Sequence, residues 1–387
     1  MAKGWAVFIY VAALLIIALF VWILIMPFIP SMDDGLGLEI YWLLGPAGLA
    51  MIILGVVAII ETVKGKFVID HKKVYMLGAF SPRTLFFDEI KGYTINDKYI
   101  VIEAIANNKK KIKISSYFGK TNEIIYWLAA NYQDLDLLNA LQEEQEILNN
   151  ENFGSTTDQR LERLSKARKT AKILNWTGGL VGVYTVFLPN SYEYAILASI
   201  AVPIVSIISL RIFKGLIHID ENNDSAHPTI FWALFASSMG LCLRALFDFN
   251  IFDQRNVWVP SILIAVIATA LLVIGNKEIK FKKLKDYFTV LVVSFLMLAY
   301  SYGSTIVLNC LYDTSTAVKF KAKILSKRED SDKVTTYYFE LSSWGQRKTI
   351  GEVSVSKNLY SQLGKDDQVT IYLKKGLFGI PWLVLTE

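Results

Sequence analysis

Two ionisable residues one helical turn apart, near the end of an apolar segment, are the strongest candidates for chemistry within a membrane. Arg244 and Asp248 are four positions apart, so they can face each other on a helix. Ionisable groups at membrane depth commonly mark ion or substrate pathways. The competing interpretation is structural: Arg244 reaches the lipid–water interface and pairs with Asp248 or Asp253. We favour this structural interpretation because both groups lie near the water boundary.

A run of small and hydroxylated residues in the last apolar segment is a second candidate. Its members are Tyr300, Ser301, Tyr302, Gly303, Ser304, Thr305 and Asn309. Such residues can line a substrate path, but more often they allow helices to pack closely in a bilayer. Pro203, Ser206 and Ser209, in an earlier apolar segment, could likewise line a path or allow close helix packing. In both segments we expect helix packing.

Metal and catalytic chemistry find little support in the sequence. Two histidines flank a set of acidic residues: His218, His227, Asp220, Glu221 and Asp224. A transition-metal site needs convergent ligands of defined geometry, and we expect a solvated hairpin here instead. The chain lacks a phosphate-binding glycine loop, a nucleophile elbow, a metalloprotease helix motif and a paired-cysteine motif. We therefore predict no catalytic residue, no bound metal and no cofactor.

A basic stretch ahead of one apolar segment supplies candidate contacts for lipid headgroups. The residues are Arg160, Arg163, Lys166, Arg168 and Lys169. Anionic lipids attract such clusters by ~1 kcal/mol per residue. Juxtamembrane anchoring explains the same residues without a specific ligand. We expect membrane lipids as partners, and no nucleic acid, because the net charge of +5 is small.

Long apolar segments dominate the chain and must position these groups. Of its 387 residues, 53% are hydrophobic, and the mean hydropathy is +0.38. About 20 consecutive apolar residues suffice to cross a bilayer as a helix. The sequence predicts about seven spans, at residues 5–30, 38–62, 173–189, 194–213, 229–247, 260–275 and 288–311. The first is too long for the apolar core of a signal peptide, so we interpret it as a retained anchor.

Two stretches of short alternating apolar runs predict soluble β domains. Residues 64–132 contain short apolar runs at 67–69, 74–77, 84–87, 99–102 and 112–114, which predict strands, and end in a helix at 121–131. The segment 83–90 belongs to the same pattern. Strands closed by one helix, placed after two spans, resemble the bacterial pleckstrin-homology-like membrane proteins. Residues 133–172 form a polar and then basic helical linker. Residues 312–387 predict five or six strands and one short helix, which suggests a small barrel of the OB-like or SH3-like type.

The predicted architecture is therefore an α-helical multi-pass membrane protein with two small soluble domains. Residues 1–63 hold two spans and residues 173–311 hold five. Stretches near Tyr337 and Trp382 resemble bacterial envelope proteins, and the abundance of Lys, Ile and Asn also indicates a bacterial source. That resemblance implies a multi-pass protein of the inner membrane.

Lysine and arginine beside the span ends predict the orientation. Basic residues occur at every second connection, whereas the short loops 31–37, 190–193 and 248–259 are neutral or acidic apart from Arg255. The N-terminus and the first β domain are then cytoplasmic. An odd number of spans puts the C-terminal β domain outside the cell.

A short sequence echo follows two of the spans. Residues 64–70 and 214–220 share the pattern Lys-Gly, three variable positions, Ile-Asp. Chance similarity at a membrane exit is one explanation. The other is an ancestral unit of two spans and a β domain, its second copy reduced to a hairpin around residues 222–223.

These features favour a non-enzymatic membrane scaffold or sensor with an interaction module on each side of the bilayer. Its partners would be lipids and other membrane or envelope proteins. The alternative is a transporter or channel for ions or small solutes, supported by Arg244, Asp248 and the polar last span. A membrane-embedded enzyme is weaker, because only Asp248 and Asp253 resemble a pair of catalytic carboxylates.

Overall fold

The computed structural model describes residues 2–26, 38–80, 82–106, 108–188, 191–220, 225–274, 276, 278–330 and 335–386. The chain folds as two compact units, residues 1–143 and 144–387. Among the described residues, six helices are long and apolar enough to cross a membrane. This supports the prediction of a multi-pass membrane protein.

The first unit opens with two long helices that pack on each other, α1 (Lys3–Ile25) and α2 (Leu38–Lys64). Gly55 allows the close contact, because an added Cβ would lie 2.7 Å from the Ile17 side chain. The N-terminal end of α1 contacts the following β domain, where the Ala2 N–H donates to the Tyr117 carbonyl (3.0 Å). At the far end of α2, the Glu61 carboxylate accepts the Ala79 N–H at 2.5 Å.

The β domain of the first unit consists of two three-stranded antiparallel sheets and one closing helix. The strands are β1 (Lys66–Ile69), β2 (Lys73–Leu77), β3 (Arg83–Phe86), β4 (Ile90–Ile95), β5 (Tyr99–Ala104) and β6 (Ile112–Ser115), and the helix is α3 (Thr121–Asn131). Ile124 and Leu128 of α3 are buried in one core with residues of both sheets. The closing helix and five of the strands occur where the sequence predicts them, whereas β4 is an additional strand. The pleckstrin-homology-like resemblance stays a prediction.

The predicted linker 133–172 is helical, and its second half continues into the membrane region. Helix α4 (Leu135–Asn149) is followed by α5 (Thr157–Phe187), a single helix of 31 residues. Thr156 caps α5, since its hydroxyl accepts the Gln159 N–H at 3.3 Å. The basic stretch and the third predicted span are therefore parts of one rigid element.

The third predicted span, residues 173–189, lies in α5, which is not among the six helices that are long and apolar enough to cross a membrane. Asn175 and several glycines dilute its apolar residues. The helix nevertheless runs beside α7 (Phe231–Asp248) in the same direction. The Asn175 Oδ1 accepts the Ala233 N–H at 2.9 Å, near the start of α7. Close to the other end, the Arg244 Nε donates to the Thr185 carbonyl at 2.6 Å.

The helical part of the second unit, as far as the structure describes it, is a bundle of five long helices around one large core. Besides α5 and α7, its members are α6 (Tyr192–Phe213), α8 (Arg255–Val273) and α9 (Leu284–Leu311). Small residues set the helix spacing. An added Cβ on Gly182 would lie 2.6 Å from the Ala236 carbonyl oxygen, and one on Gly303 would lie 2.6 Å from the Leu241 backbone. The glycine in the polar run of α9 therefore serves helix packing.

The chain after α9 adds five strands to a nearly closed sheet of six, and the loop between α7 and α8 adds the sixth. The strands are β7 (Asn250–Ile251), β8 (Val318–Asp330), β9 (Thr336–Leu341), β10 (Gly351–Val355), β11 (Gln368–Lys374) and β12 (Trp382–Thr386), with α10 (Lys357–Gln362) after β10. Their order across the sheet is β10, β9, β8, β11, β12 and β7. Long strand β8 pairs with β11 through its first half and with β9 through its second. The predicted small barrel is therefore present in its coarse form.

The two echo segments both follow a helix. Lys64 ends α2, and the next residues form β1. Lys214 adopts the left-handed conformation after α6, and His218 then makes an isolated parallel bridge with Thr229. The hairpin proposed around residues 222–223 lies outside the described residues.

Candidate functional site

The barrel meets the helix bundle through a strand that the loop between α7 and α8 contributes. Asn250 and Ile251 form β7, which pairs antiparallel with β12. The Asn250 amide nitrogen donates to the Ser354 carbonyl of β10 at 3.0 Å, and the Ser354 hydroxyl donates to the Asn250 Oδ1 at 2.9 Å. These bonds join the two edges of the sheet. A loop between two membrane spans thus completes the barrel.

A second contact fixes the β11–β12 loop on the last turn of α9. The Asn309 side chain is fully buried. Its amide nitrogen donates to the Ile380 carbonyl at 2.9 Å, and its oxygen accepts the Phe378 N–H at 2.9 Å. Gly376 has a φ of +77°, and an added Cβ there would lie 2.4 Å from the Asn309 amide. Only glycine fits this approach without strain.

Asp313, just after α9, lies at the centre of the contact between the barrel and the helices. We call this contact, formed by residues 249–252, 309–315 and 376–382, the junction. Its carboxylate accepts the Trp382 indole N–H at 2.7 Å, the Gly376 N–H at 3.1 Å and the Ser315 N–H at 2.8 Å. The side chain is only 1% exposed, and the Lys374 Nζ lies 3.8 Å away. Burial by itself would raise the pKa of Asp313, but hydrogen bonds from Ser315, Trp382 and Gly376 outweigh it and lower the pKa.

Aromatic rings extend the junction into the barrel core. Phe252, from the α7–α8 loop, packs against Trp344 with ring centroids 5.7 Å apart. Trp344 also packs against Phe320 of β8 at 5.4 Å. Near the start of β7, Phe249 meets Trp382 edge-to-face at 5.9 Å. The apolar and polar contacts together attach the barrel to the α7–α8 loop and to the C-terminal end of α9.

Sequence reasoning finds only part of this junction. Asn309 belongs to the polar run in which packing is expected, and it does bond to neighbouring backbone. Asn250 and Asp313 are missed. The usable signal in the sequence is the pair of glycines, 376 and 379, in the segment from Lys375 to Trp382. In the structure both glycines adopt positive φ. Such glycines indicate a loop held in a tight, fixed conformation.

Arg244 and Asp248 do form the predicted pair, with Arg244 Nη1 at 3.1 Å from the Asp248 carboxylate. The guanidinium also donates to the Thr185 and Val186 carbonyls, at 2.6 and 2.7 Å. Asp248 additionally accepts the Tyr192 hydroxyl at 2.7 Å. Carbonyls in the last turn of a helix lack intrahelical partners and carry partial negative charge. Arg244 therefore caps α5, which supports the structural interpretation of the pair.

Two further arginines act in the same way. Arg163 donates to the Ile212 carbonyl in the last turn of α6 at 3.0 Å. Arg211 donates to the Leu271 carbonyl in the last turn of α8 at 2.5 Å. Each of these cations satisfies the C-terminal end of a neighbouring helix, so it holds two helices together.

The candidate headgroup contacts on α5 are mostly engaged with the protein. Arg160 donates to the Leu148 and Gly154 carbonyls, and Arg163 donates to α6 as described above. Arg168 pairs with Glu144 at 2.9 Å, and Lys166 pairs with Glu162 at 2.7 Å. Lys169 is exposed. The structure thus does not bring these five side chains together as one surface.

His218 and His227 lie together but cannot share a metal ion in this arrangement. Their rings stack with centroids 3.9 Å apart and planes only 12° from parallel. A ligating nitrogen binds metal in the plane of its ring, and two parallel planes at this separation do not meet at one ion. Burial, followed by the neighbouring His227 ring, lowers the pKa of His218 to about 3. Within the described residues, no group of three or more potential ligands occurs.

Comparisons with protein-family models, with curated proteins and with solved structures found no match to this chain.

Proposed function

We propose that this chain is a multi-pass membrane scaffold or sensor that presents a β-barrel module held rigidly against its helices. One observation carries the proposal: the barrel takes its sixth strand from the α7–α8 loop. A module on a flexible tether would not need this shared strand. Because the strand is shared, binding of a partner to the barrel is coupled to the positions of α7 and α8.

The proposal assigns one binding module to each of the two units. In the first unit, α1 and α2 contact the β domain through Ala2 and Glu61. We interpret that domain as pleckstrin-homology-like and the C-terminal barrel as OB-like or SH3-like. The composition favours a bacterial inner membrane. We count α5, which runs parallel to α7, as a seventh crossing. The basic connections then favour the first domain in the cytoplasm and the barrel outside. The partners would then be lipids and other membrane or envelope proteins.

Photo-crosslinking from the barrel of the full-length chain in native membranes tests the scaffold. Ile350 is 59% exposed beside β10, so a photoreactive residue there should give a discrete crosslinked protein. The matched control is Leu263, which is 61% exposed on membrane helix α8 and should crosslink mainly to lipid. If no exposed position of the barrel yields a protein adduct, the scaffold proposal fails.

A transporter or channel is the second candidate, and buried hydroxyls favour it. Among the described residues, the hydroxyls of Ser206, Ser238, Ser261 and Thr305 are buried in the bundle without a hydrogen-bond partner. Such groups could serve a polar path. Liposomes containing the full-length chain should show no flux of ions or small osmolytes if the scaffold is correct. A flux that Asp248→Asn abolishes would favour the transporter instead.

A further inference from the structure

The segment that leads into α9 combines exposed cations with exposed apolar side chains. Lys280, Lys282 and Lys283 are exposed. The apolar residues between and after them are also exposed: Phe281 at 46%, Leu284 at 87%, Tyr287 at 55% and Phe288 at 64%. We call residues 280–288 the basic–aromatic segment. Clusters of exposed large apolar side chains are unusual on a surface that faces water and commonly mark an interaction site.

The basic–aromatic segment is fixed to the bundle by its neighbours. The Glu278 carboxylate accepts the backbone N–H groups of Ile219 and Asp220, at 2.8 and 3.0 Å. The Lys285 ammonium lies 2.5 Å from the Asp220 carboxylate. Asp286 accepts the Lys282 N–H at 3.1 Å. These contacts use backbone groups and Lys285, so they leave the other lysine side chains facing outward.

The three lysines make no ion pair with a carboxylate of the described residues. Asp286, in the same segment, interacts with the charge of Lys283 without forming an ion pair with it. The basic stretch of α5 differs in this respect, since Arg168 and Lys166 pair with glutamates. The cations best suited to an external anion are therefore those at the start of α9.

We infer that the basic–aromatic segment binds the headgroups of anionic phospholipids in the leaflet at the N-terminal end of α9. α9 qualifies as a membrane span, so the residues at its start lie at the lipid–water interface. Lysine stems extend along apolar surface while the ammonium reaches the phosphate. Phe281, Leu284 and Phe288 then enter the boundary between headgroups and acyl chains, as interfacial aromatic residues do. The segment fixes the depth of α9 and selects anionic lipid around it.

A fluorophore at position 284 of the full-length chain in liposomes tests this inference. Leu284→Cys is exposed, whereas Cys310 is buried and Cys242 is half-buried, so labelling is selective. Brominated phosphatidylglycerol should quench the probe at least about threefold more strongly than the same fraction of brominated phosphatidylcholine. Combining Lys280→Gln, Lys282→Gln and Lys283→Gln should abolish that difference.

The matched control removes two other lysines, Lys166→Gln and Lys169→Gln on α5, and should keep the preference for the anionic lipid. Quenching of the Leu284→Cys probe by both brominated lipids alike would overturn the inference. So would an unchanged preference in the triple variant. Because the substituted lysines are exposed, circular dichroism should show that every variant keeps its helical content.

Discussion

Replacing Asp313 with alanine is expected to release the barrel from the end of α9 and to lower the free energy of unfolding by about 3–5 kcal/mol. The substitution leaves the Trp382 indole N–H and the Gly376 and Ser315 N–H groups without their acceptor. A buried donor without a partner costs roughly 1–3 kcal/mol. Thermal unfolding in nanodiscs measures the loss, and hydrogen exchange at residues 376–382 shows where it occurs.

Asp330→Ala is the matched control for Asp313→Ala. Asp330 pairs with Arg328 on the barrel surface, where both side chains are 50% exposed. Removing an exposed ion pair should change stability by less than about 1 kcal/mol. Equal stability of the two variants would contradict the role given to Asp313.

The same carboxylate makes the junction sensitive to acid. The pKa of Asp313 in the folded chain lies below its ordinary value of 3.8. Its contribution to stability is therefore complete above that value and is lost as the pH falls through the folded pKa. The stability difference between the wild type and Asp313→Asn should then shrink below about pH 4.

The second large effect is expected at the contact between α5 and α7. In Gly182→Ala the new Cβ would lie 2.6 Å from the Ala236 carbonyl oxygen, which belongs to helix backbone and cannot rotate away. The two helices must separate, at a cost of roughly 1–3 kcal/mol. Unfolding of the full-length chain in mixed micelles by a denaturing detergent measures this loss.

Gly179 provides a control three residues away in the same helix. An added Cβ on Gly179 meets nothing within 4 Å. Gly179→Ala should therefore be neutral or stabilise α5 by up to about 1 kcal/mol, since alanine favours helix over glycine. If Gly182→Ala were as stable as Gly179→Ala, the small-residue packing of α5 on α7 would be wrong.

Hydropathy and alternation are sufficient for the long elements. Spans such as Leu284–Leu311 keep enough apolar residues to be recognised without tertiary information. The strands of both β domains follow alternating apolar runs, which depend on local sequence only. α5 is a weaker case: the sequence predicts a span at 173–189, but Gly178, Gly182 and Asn175, which pack against α7, lower the hydropathy of the helix.

The junction could not be predicted, because its contacts join residues far apart in the chain. Strand β7 has only two residues, too few for any alternation to indicate a strand. Asn250 and Ser354 are separated by 104 positions. The arginines are misleading for a related reason: the sequence shows the cations of Arg163 and Arg244, but not which helix-end carbonyls lie beside them.

A disulfide between the α7–α8 loop and the barrel tests the central claim most directly. The claim is that the loop completes the barrel, and the Asn250 amide bonds to both the carbonyl and the hydroxyl of Ser354 across the two sheet edges. Asn250→Cys combined with Ser354→Cys should oxidise to a single intramolecular product in intact membranes. Asn250→Cys combined with Lys283→Cys should not, since those residues lie at opposite ends of the helices. Absence of the first product, or equal yields from both pairs, would contradict the account.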